Sequence, residues 1–440
     1  MKKIIAAGAG HGALSAAINL ARNGCDVTVY EKKTEEEAGH DWVDSVDLTA
    51  FDFAGIPHPP KYICEPSLQM SFTNPAKTVT LIGPEKDPEG TAVYVDRKGL
   101  LRHLIAEAKK VGVKFVFGAA VCGAVTADND VIGIRIADGE KEKVVFADLI
   151  IDGAGVNSPV RRSLPERLGI INEISEDDMI SIHRAFFDKT DNTMLDPPYA
   201  VHFYHMGRPG MDWVITKDKC VDILIGKFSP FDEGEIESAL KDFREEYPFI
   251  GNELLRGGTT EVIPIRSTLP KIVCNGYAAV GDSAVMTTPM NGMGLDLSLQ
   301  AGKLLAETVI TGNNASVKTL WKYNRDFHVL YGGDTAKNES LKNALLNLPD
   351  GGVDFLFKNG VIQASDLAGA GRNTNLGALL GKFVRGMKNP PFFFAILGGI
   401  MNGGKLSKVL KSAPAEFDLK QIGEWQNKVI AASVKVTRGG

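Results

Sequence analysis

A short glycine-rich turn near the N-terminus constrains the fold of this chain more than any other feature. Residues 3–7 (KIIAA) have the composition of a buried strand, residues 13–23 follow an apolar helical pattern, and residues 27–31 (VTVYE) resemble a second strand. The turn between the first strand and the helix reads Gly8-Ala9-Gly10-His11-Gly12-Ala13. A unit of about 30 residues with this order is a βαβ crossover, whose two strands lie parallel in one sheet.

The small residues of this turn have separate physical roles in a Gly-x-Gly-x-x-Ala pattern. Gly8 allows a sharp turn after the strand, and Gly10 carries no side chain that would keep a phosphate away from the backbone. Ala13 allows close packing of the helix on the strand. The free N–H groups around Gly12, at the positive end of the helix, then suit a pyrophosphate. We interpret His11 as a spacer in this turn. The turn therefore predicts dinucleotide binding.

An acidic residue at the end of the second strand narrows the choice of dinucleotide. Glu31, followed by Lys32, stands where the adenosine ribose binds in folds of this kind. A carboxylate there accepts hydrogen bonds from both ribose hydroxyls, which marks an unphosphorylated 2′ position. FAD and NAD fit this residue, and NADP does not.

A second glycine-rich block follows about 270 residues later. Residues 275–284 (NGYAAVGDSA) predict a short strand that ends in Gly-Asp, and the chain continues through Pro289 into a helical pattern at residues 295–310. An NAD dehydrogenase needs no further glycine motif at this distance. The spacing G-D-x-A-x4-P-x2-G-x-G resembles the second FAD motif of the flavoprotein monooxygenase and geranylgeranyl reductase superfamily.

This resemblance implies FAD as the cofactor and assigns further residues to it. In the superfamily, the Asp of the motif binds the ribityl chain, and the glycine-rich helix start lies beside the flavin pyrimidine and the phosphates. These roles fall on Asp282, and on Gly292, Gly294 and Leu295. Bare backbone N–H groups suit a flavin oxygen that becomes anionic on reduction.

Two other segments are similar to the same superfamily. Residues 94–102 (YVDRKGLLR) resemble the family segment whose arginine contacts the cofactor, which places Arg97 near FAD and implies a backbone contact from a later strand around Val121. Residues 149–161 (LIIDGAGVNSPVR) resemble the family's D-G-x-x-S-x-V-R segment, but Ala154 stands at the position of the Asp. This departure separates the chain from many aromatic hydroxylases, which associate the segment with nicotinamide handling.

These observations predict an α/β fold. We expect a discontinuous, Rossmann-like FAD-binding domain of the glutathione-reductase type from residues 1–40, 95–165 and 263–310. Alternating apolar patterns elsewhere predict an antiparallel-sheet substrate domain, and the loss of strand patterns after residue 310 predicts a mostly helical C-terminal region. The corresponding ranges are 41–94 with 166–262 for the substrate domain and 311–440 for the helical region.

The substrate domain offers three candidate catalytic residues. Because the flavin ring carries the redox chemistry, neither a protein nucleophile nor a metal is required, and the HExxH spacing is absent. Trp213 lies in a segment that resembles the Y-x-W-x-F-P strand of the reductase branch, and it is either substrate-facing or an ordinary core aromatic. His202 and His205 are candidate proton carriers.

Composition limits the partners. A net charge of −5 and a pI near 6.0 give no positive field for nucleic acid. Five cysteines, far apart and without a CxxC pair, are typical of a reducing cytosol. The apolar stretch 392–401 is about half the length that spans a bilayer, so we expect a cytoplasmic protein. The apolar segment 389–394 is expected to be simply buried, with capping of the pocket, contact with a membrane surface and contact between two subunits as alternatives.

Three activities are compatible with this sequence. The first is a geranylgeranyl-reductase-like enzyme that reduces C=C bonds of a hydrophobic or aromatic small molecule by hydride transfer from reduced flavin. The second is an NAD(P)H-dependent flavin monooxygenase, and the third is an electron-transfer flavoprotein that serves a quinone or a partner protein. The departure at Ala154 and the Trp213 segment favour the first, with NAD(P)H or a reduced carrier protein as electron donor.

Overall fold

The computed structural model describes residues 3–85, 90–139, 141–368, 382 and 385–433. The remaining residues of the expected domains, including 369–381 and 434–440 of the helical region, lie outside the described residues.

The described strands are numbered along the chain. They are β1 Lys3–Ala7, β2 Asp26–Glu31, β3 Val43–Asp47, β4 Cys64–Pro66, β5 Met70–Thr73, β6 Thr80–Ile82, β7 Ala92–Asp96, β8 Lys114–Phe117, β9 Val121–Ala127, β10 Asp130–Asp138, β11 Lys141–Phe146, β12 Leu149–Asp152, β13 Met179–Lys189, β14 Tyr199–Phe203, β15 Met211–Thr216, β16 Val221–Lys227, β17 Ile250–Pro264, β18 Val273–Cys274 and β19 Tyr277–Ala279.

The described α-helices are numbered in the same way. They are α1 His11–Arg22, α2 Thr49–Ala54, α3 Arg97–Lys110, α4 Pro159–Arg162, α5 Glu235–Glu246, α6 Leu295–Gly312, α7 Val317–Phe327, α8 Gly333–Leu346, α9 Gly352–Lys358, α10 Ala364–Ala368, α11 Pro390–Lys411 and α12 Leu419–Ser433.

A six-stranded sheet with the order β18-β19-β12-β1-β2-β8 forms the first core. All its neighbouring strands are parallel except β18 and β19. The apolar strand β1 is fully buried at Ile4 and Ile5, as expected for a parallel sheet covered on both faces. Helix α1 packs on α6, where a Cβ on Gly302 would come within 2.3 Å of the Gly12 carbonyl oxygen. The predicted Rossmann-like unit is confirmed, and its strands come from four separate stretches of the chain.

A seven-stranded sheet with the order β17-β13-β16-β15-β14-β5-β6 forms the second core. Helix α5 covers one of its faces, where Ala239 and Phe243 pack with Val214 and Ile223. Its strands pair antiparallel, as predicted, except that β14 pairs with β5 in parallel. This exception arises because β5 comes from a stretch of chain far before β14, so no tight hairpin joins them.

Two small sheets and the C-terminal helices complete the described structure. The sheets have the orders β3-β7-β4 and β11-β10-β9. Helices α7 to α12 confirm the predicted helical region within the described residues. Trp321 and Trp425 meet edge to face at 5.7 Å between ring centroids and join α7 to α12.

Within the described ranges, no helix has both the length and the apolar character that crossing a membrane demands.

Candidate active site

One cavity of about 1050 Å³ is bordered by residues from both large sheets and from the C-terminal helices. One part of its wall is the β1–α1 turn together with residues 281–282 and 289–295. Another part consists of apolar and aromatic side chains that include Tyr199, Trp213 and Phe357. The cavity therefore joins a glycine-rich region to an apolar one.

The β1–α1 turn packs against the loop after β12 so closely that only small residues fit. A Cβ on Gly8, whose φ is +88°, or on Gly10 would lie 2.7 Å from the carbonyl oxygen of Gly153. A Cβ on Gly153 would in turn lie 2.5 Å from the Cβ of Ala13. A side chain at position 12 is excluded in the same way, because a Cβ on Gly12 would lie 2.6 Å from a Val280 methyl group. The four small residues of the motif are thus required by contacts that the structure shows.

Helix α1 begins at His11 without a side-chain cap at Gly10. Residues 8–13 line the cavity, so the uncapped helix start belongs to its wall. The first N–H groups of an α-helix have no partner within the helix and attract anions. This end of the cavity therefore suits a phosphate group.

Glu31 is fixed at the cavity wall by two backbone hydrogen bonds. Its Oε2 accepts from the N–H of Ala9 at 2.9 Å, and its Oε1 accepts from the N–H of Lys33 at 3.0 Å. Lys32 also lines the cavity beside Glu31. The carboxylate is thus held rigidly where a sugar hydroxyl would reach its remaining lone pairs.

The start of strand β9 lies beside this acidic residue. The N–H of Ala119 donates to the carbonyl oxygen of Glu31 at 2.9 Å, and Ala120 and Val121 line the cavity. The structure therefore brings the predicted Val121 backbone to the same part of the wall as Glu31.

Charged and polar groups gather around Asp282, in the short 3₁₀-helix Gly281–Ala284. Burial raises the pKa of Asp282, which Arg97 and His40 partly oppose. Arg97 donates from Nη1 to Asp44 at 2.7 Å, while its Nε is buried without a partner among the described residues. The Nε2 of His11 is buried in the same unpaired way.

These two unpaired nitrogens provide a test of whether a ligand fits. Burial, with Arg97 and His40 nearby, holds the pKa of His11 well below its ordinary value, so the imidazole is neutral. Buried polar groups almost always have a hydrogen-bond partner. Arg97 and His11 both line the cavity, so a polar ligand in it can supply those partners. The donor set fits an elongated, phosphate-bearing cofactor.

The second glycine motif closes the same end of the cavity. Gly292 has a φ of +72°, which favours glycine, and Gly294 precedes α6 without a side-chain cap. A Cβ on Gly294 would lie 3.0 Å from a methyl carbon of Thr287. Leu295, the first residue of α6, lines the cavity with both glycines. The structure therefore places a second uncapped helix start at the cavity wall.

The Asp-Gly segment that begins with the last residue of β12 stabilises the fold through buried hydrogen bonds. Asp152 is fully buried and accepts hydrogen bonds from Ser158 Oγ at 2.6 Å and from Tyr277 Oη at 2.8 Å. Arg161, 1% exposed, donates from Nη1 to the carbonyl oxygen of Ser283 at 2.6 Å. The bond from Tyr277 to Asp152 ties β12 to β19, and the bond from Arg161 ties α4 to the 3₁₀-helix that carries Asp282. Their role here is structural.

The apolar part of the cavity contains a group of aromatic side chains. Trp213 lines the wall, and its ring meets that of Tyr199 edge to face at 5.6 Å. Tyr94 lies 6.3 Å from Tyr199 between ring centroids. Burial raises the pKa of both tyrosines, so both keep their proton at neutral pH. The structure thus places Trp213 on the cavity wall, together with two phenol groups that sequence reasoning missed.

A chain of alternating charges, buried at Arg184 and Asp222 and partly exposed at Asp44 and Arg97, connects the two parts of the cavity. Arg184 forms a bidentate pair with Asp222, at 2.8 Å from Nε and 2.6 Å from Nη2. Asp44 lies 3.4 Å from Arg184 Nη1 and also accepts from Arg97 at 2.7 Å. The Arg184 guanidinium stacks over the Trp213 ring at 5.2 Å. The sequence signal for Arg184 was a lone arginine within the otherwise uncharged, buried stretch 180–187 (ISIHRAFF) of β13.

The two candidate histidines lie on the other face of the seven-stranded sheet. Val201 and Phe203 line the cavity, and because successive side chains of a strand alternate, His202 between them points away from it. The Nε2 of His202 is 2.7 Å from the hydroxyl of Tyr247, which follows α5. His205 is likewise buried outside the cavity wall. The structure therefore places neither candidate histidine at the cavity, so its geometry does not support a role for them as proton carriers there.

His205 belongs to a buried ion-pair network beneath α5. Burial favours its neutral form, but hydrogen bonds to Asp212 at 3.1 Å and to Glu246 at 2.8 Å outweigh burial and raise the pKa of His205. The Nζ of Lys77 lies 2.5 Å from the same Glu246 oxygen. His202, His205 and Glu246 have the donor spacing of a metal site, but Lys77 already neutralises the carboxylate. The network is a structural ion-pair cluster.

Comparison with known proteins agrees with this site. No protein-family model matches the chain. Digeranylgeranylglycerophospholipid reductase 1 of Methanococcoides burtonii is 26% identical over 365 residues, covering 80% of this chain and 86% of that protein. The digeranylgeranylglycerophospholipid reductase of Sulfolobus acidocaldarius is 21% identical and covers 97% of this chain and 96% of that protein.

The fold is also found among solved structures. A geranylgeranyl bacteriochlorophyll reductase-like protein from Thermoplasma acidophilum matches with a TM-score of 0.74 at 20% identity, covering 91% of this chain and 99% of that one. With the glycine cradle, the uncapped helix starts and the adjoining apolar cavity, these similarities confirm the family expected from the motifs. The chain is thus similar, over most of its length, to curated geranylgeranyl-lipid reductases, and this similarity supports the superfamily that includes the geranylgeranyl reductases and the flavoprotein monooxygenases.

Proposed function

We propose that this protein is an FAD-dependent reductase that adds two hydrogens across C=C bonds of a polyprenyl chain or a similarly hydrophobic substrate. The observation that carries the proposal is the cavity of about 1050 Å³, in which a glycine-rich wall suited to a dinucleotide adjoins an apolar, aromatic pocket. The curated relatives named as reductases of digeranylgeranylglycerophospholipid support this substrate class.

FAD is the dinucleotide that best matches the polar groups of the cavity. The β1–α1 turn would hold the pyrophosphate, and Glu31 would accept the adenosine ribose hydroxyls. Asp282 would bind the ribityl chain, as the superfamily motif implies. The unpaired nitrogens of Arg97 and His11 would donate to oxygen atoms of the same cofactor.

The residues of the apolar pocket would position the double bond and hold a proton. FAD held in this cavity would, in its reduced form, supply a hydride to one carbon of the double bond. The other carbon needs a proton, and the hydroxyl groups of Tyr199 and Tyr94, which line the cavity and stay protonated at neutral pH, are the candidate donors. Phe357 and Ile362 line the pocket and would exclude water from the reacting bond. An external electron donor, NAD(P)H or a reduced carrier protein, then restores the reduced cofactor.

Two measurements test this proposal. The purified protein should be yellow, with a flavin spectrum that survives desalting, and colourless protein that takes up no added FAD would refute the cofactor assignment. Dithionite-reduced holoprotein, mixed without oxygen with a geranylgeranyl phospholipid, should reoxidise and yield product heavier by about 2 Da for each double bond reduced. Reoxidation only in the presence of oxygen, with a hydroxylated product, would instead identify a monooxygenase.

A further inference from the structure

Helix α11 exposes apolar side chains that a soluble surface seldom carries together. Phe394 is 57% exposed, Met401 55% and Ile400 42%. A Cβ on Gly398 would meet no atom within 4 Å, so this face of the helix is open. We call these four residues the α11 patch. Clustered exposed apolar residues mark an interaction surface.

The opposite face of α11 is buried and fixes the orientation of the patch. Leu406 and Leu410 are fully buried in the core. A Cβ on Gly399 would lie 2.5 Å from the Ala344 methyl group, which shows how closely α11 packs on α8. The patch therefore faces outward on a helix that is anchored from behind.

The chain segment that carries the patch has charged residues of only one sign. The 49 residues from 367 to 415 contain seven Lys or Arg and no Asp or Glu, although the whole chain carries 54 acidic residues. Lys405 and Lys408 follow Met401 at helical spacings of four and seven residues, so they extend the same face. Lys388, Lys405 and Lys408 are exposed and form no ion pair within the described residues. A basic, apolar helix face attracts anionic surfaces.

The patch is also close to the cavity. Phe392 at the start of α11 meets the ring of Phe355 on α9 at 5.5 Å. Two residues later, Phe357 lines the cavity, as do Ile362 and Leu367 in the following segment. The helix that carries the patch thus packs on the helix that forms the apolar wall.

We propose that α11 docks on the surface of an anionic phospholipid bilayer, with Phe394 and Met401 among the acyl chains and the lysines at the headgroups. Docking would bring the apolar wall of the cavity next to the membrane. This inference rests on the proposed function and adds that the membrane is the source of the hydrophobic substrate. A symmetric contact with a second copy fits less well, because a twofold interface would place this basic face near itself.

Vesicle flotation of the full-length holoprotein tests the docking without any turnover. The protein should float with vesicles of phosphatidylcholine that contain about 30% phosphatidylglycerol, and much less with pure phosphatidylcholine or in about 0.5 M salt. Phe394→Asp should weaken partitioning about tenfold or more, because a buried aromatic ring is replaced by a charge. Phe146→Asp is a matched control, since Phe146 is also 57% exposed but lies on β11, and it should bind like the unmodified protein.

A second variant tests the contribution of the lysine charges to vesicle binding. Lys405→Glu with Lys408→Glu should abolish the preference for anionic vesicles, and circular dichroism checks that both variants are folded. Equal flotation of Phe394→Asp and the unmodified protein, or no flotation of the latter, would overturn the proposal. So would a dimer in light scattering that Phe394→Asp converts to a monomer. Reduction of a short, water-soluble polyprenyl substrate should be unchanged in Phe394→Asp, which separates failure of docking from failure of the proposed reaction.

Discussion

Asp222→Asn is expected to be the most informative single change in the substrate sheet. It neutralises the partner of Arg184, whose side chain is 4% exposed, while that of Asp222 is 0% exposed. Removing one member of a buried pair leaves the other charge without compensation and costs about 3–5 kcal/mol. Asp44 remains 3.4 Å from Arg184, so we expect the lower end of that range, about 3 kcal/mol.

Urea unfolding of the holoprotein, followed by circular dichroism, measures this loss. With a denaturant slope of about 3 kcal/mol per molar, the transition midpoint should fall by about 1 M. The exposed Asp218, in the turn between β15 and β16, offers the control Asp218→Asn, which should shift stability by less than about 0.5 kcal/mol.

A double variant distinguishes an unpaired charge from damaged packing. Arg184→Met with Asp222→Leu removes both charges and keeps apolar volume in the sheet, so it should regain most of the lost stability. An unchanged midpoint for Asp222→Asn, or a double variant less stable than the single one, would refute the reasoning.

Three other outcomes follow from the contacts of the site. Gly10→Ala places a methyl group 2.7 Å from the Gly153 oxygen, so flavin affinity in a fluorescence titration should fall about tenfold or more, and unchanged affinity would contradict the required close approach. Tyr199→Phe should lower kcat about a hundredfold with little effect on KM, whereas an unaffected kcat would exclude Tyr199 as the proton donor. Burial raises the pKa of Glu246, but hydrogen bonds to His205 and Lys77 outweigh burial and lower this pKa from 4.5 to about 2. The ionised Glu246 side chain therefore contributes its full stabilisation of the fold above pH 4.5, and this contribution is lost as the pH falls toward 2. The difference in urea midpoint between the unmodified protein and Glu246→Gln should therefore shrink between about pH 5 and about pH 3, and a constant difference would contradict the assigned ion pair.

The dinucleotide end of the site could be predicted because its constraints are local. Gly8, Gly10 and Glu31 lie within one βαβ unit, where strand, turn and helix lengths fix their relative positions. The position of Gly294 beside the cofactor site could be predicted from the second glycine-rich motif, which is also local. In both cases a few consecutive residues determine the backbone, and the structure brings them to one cavity wall.

The substrate end could not be predicted in the same way because it depends on contacts between distant stretches. Asp44 and Arg184 are 140 residues apart in the chain, and neither belongs to a recognisable motif. His202 points toward the face of β14 that helix α5 covers, and the sequence does not show which face that is. A shift of one residue in the strand pattern would turn His202 to the opposite face. Tyr199 was missed for the same reason, since strand alternation alone does not identify the face that meets the cavity.

The position of Asp44 has a consequence for how a long substrate enters. This carboxylate pairs with Arg97 at the start of α3 and with Arg184 on the seven-stranded sheet, so any motion that separates these two walls breaks at least one ion pair. We therefore expect the two walls to keep a constant spacing during turnover, and the chain to thread in past α9 and α10, where Phe357 and Leu367 form an apolar border. Residence time of a polyprenyl tail would then be set by the motion of the C-terminal helices, independently of electron delivery at the dinucleotide end.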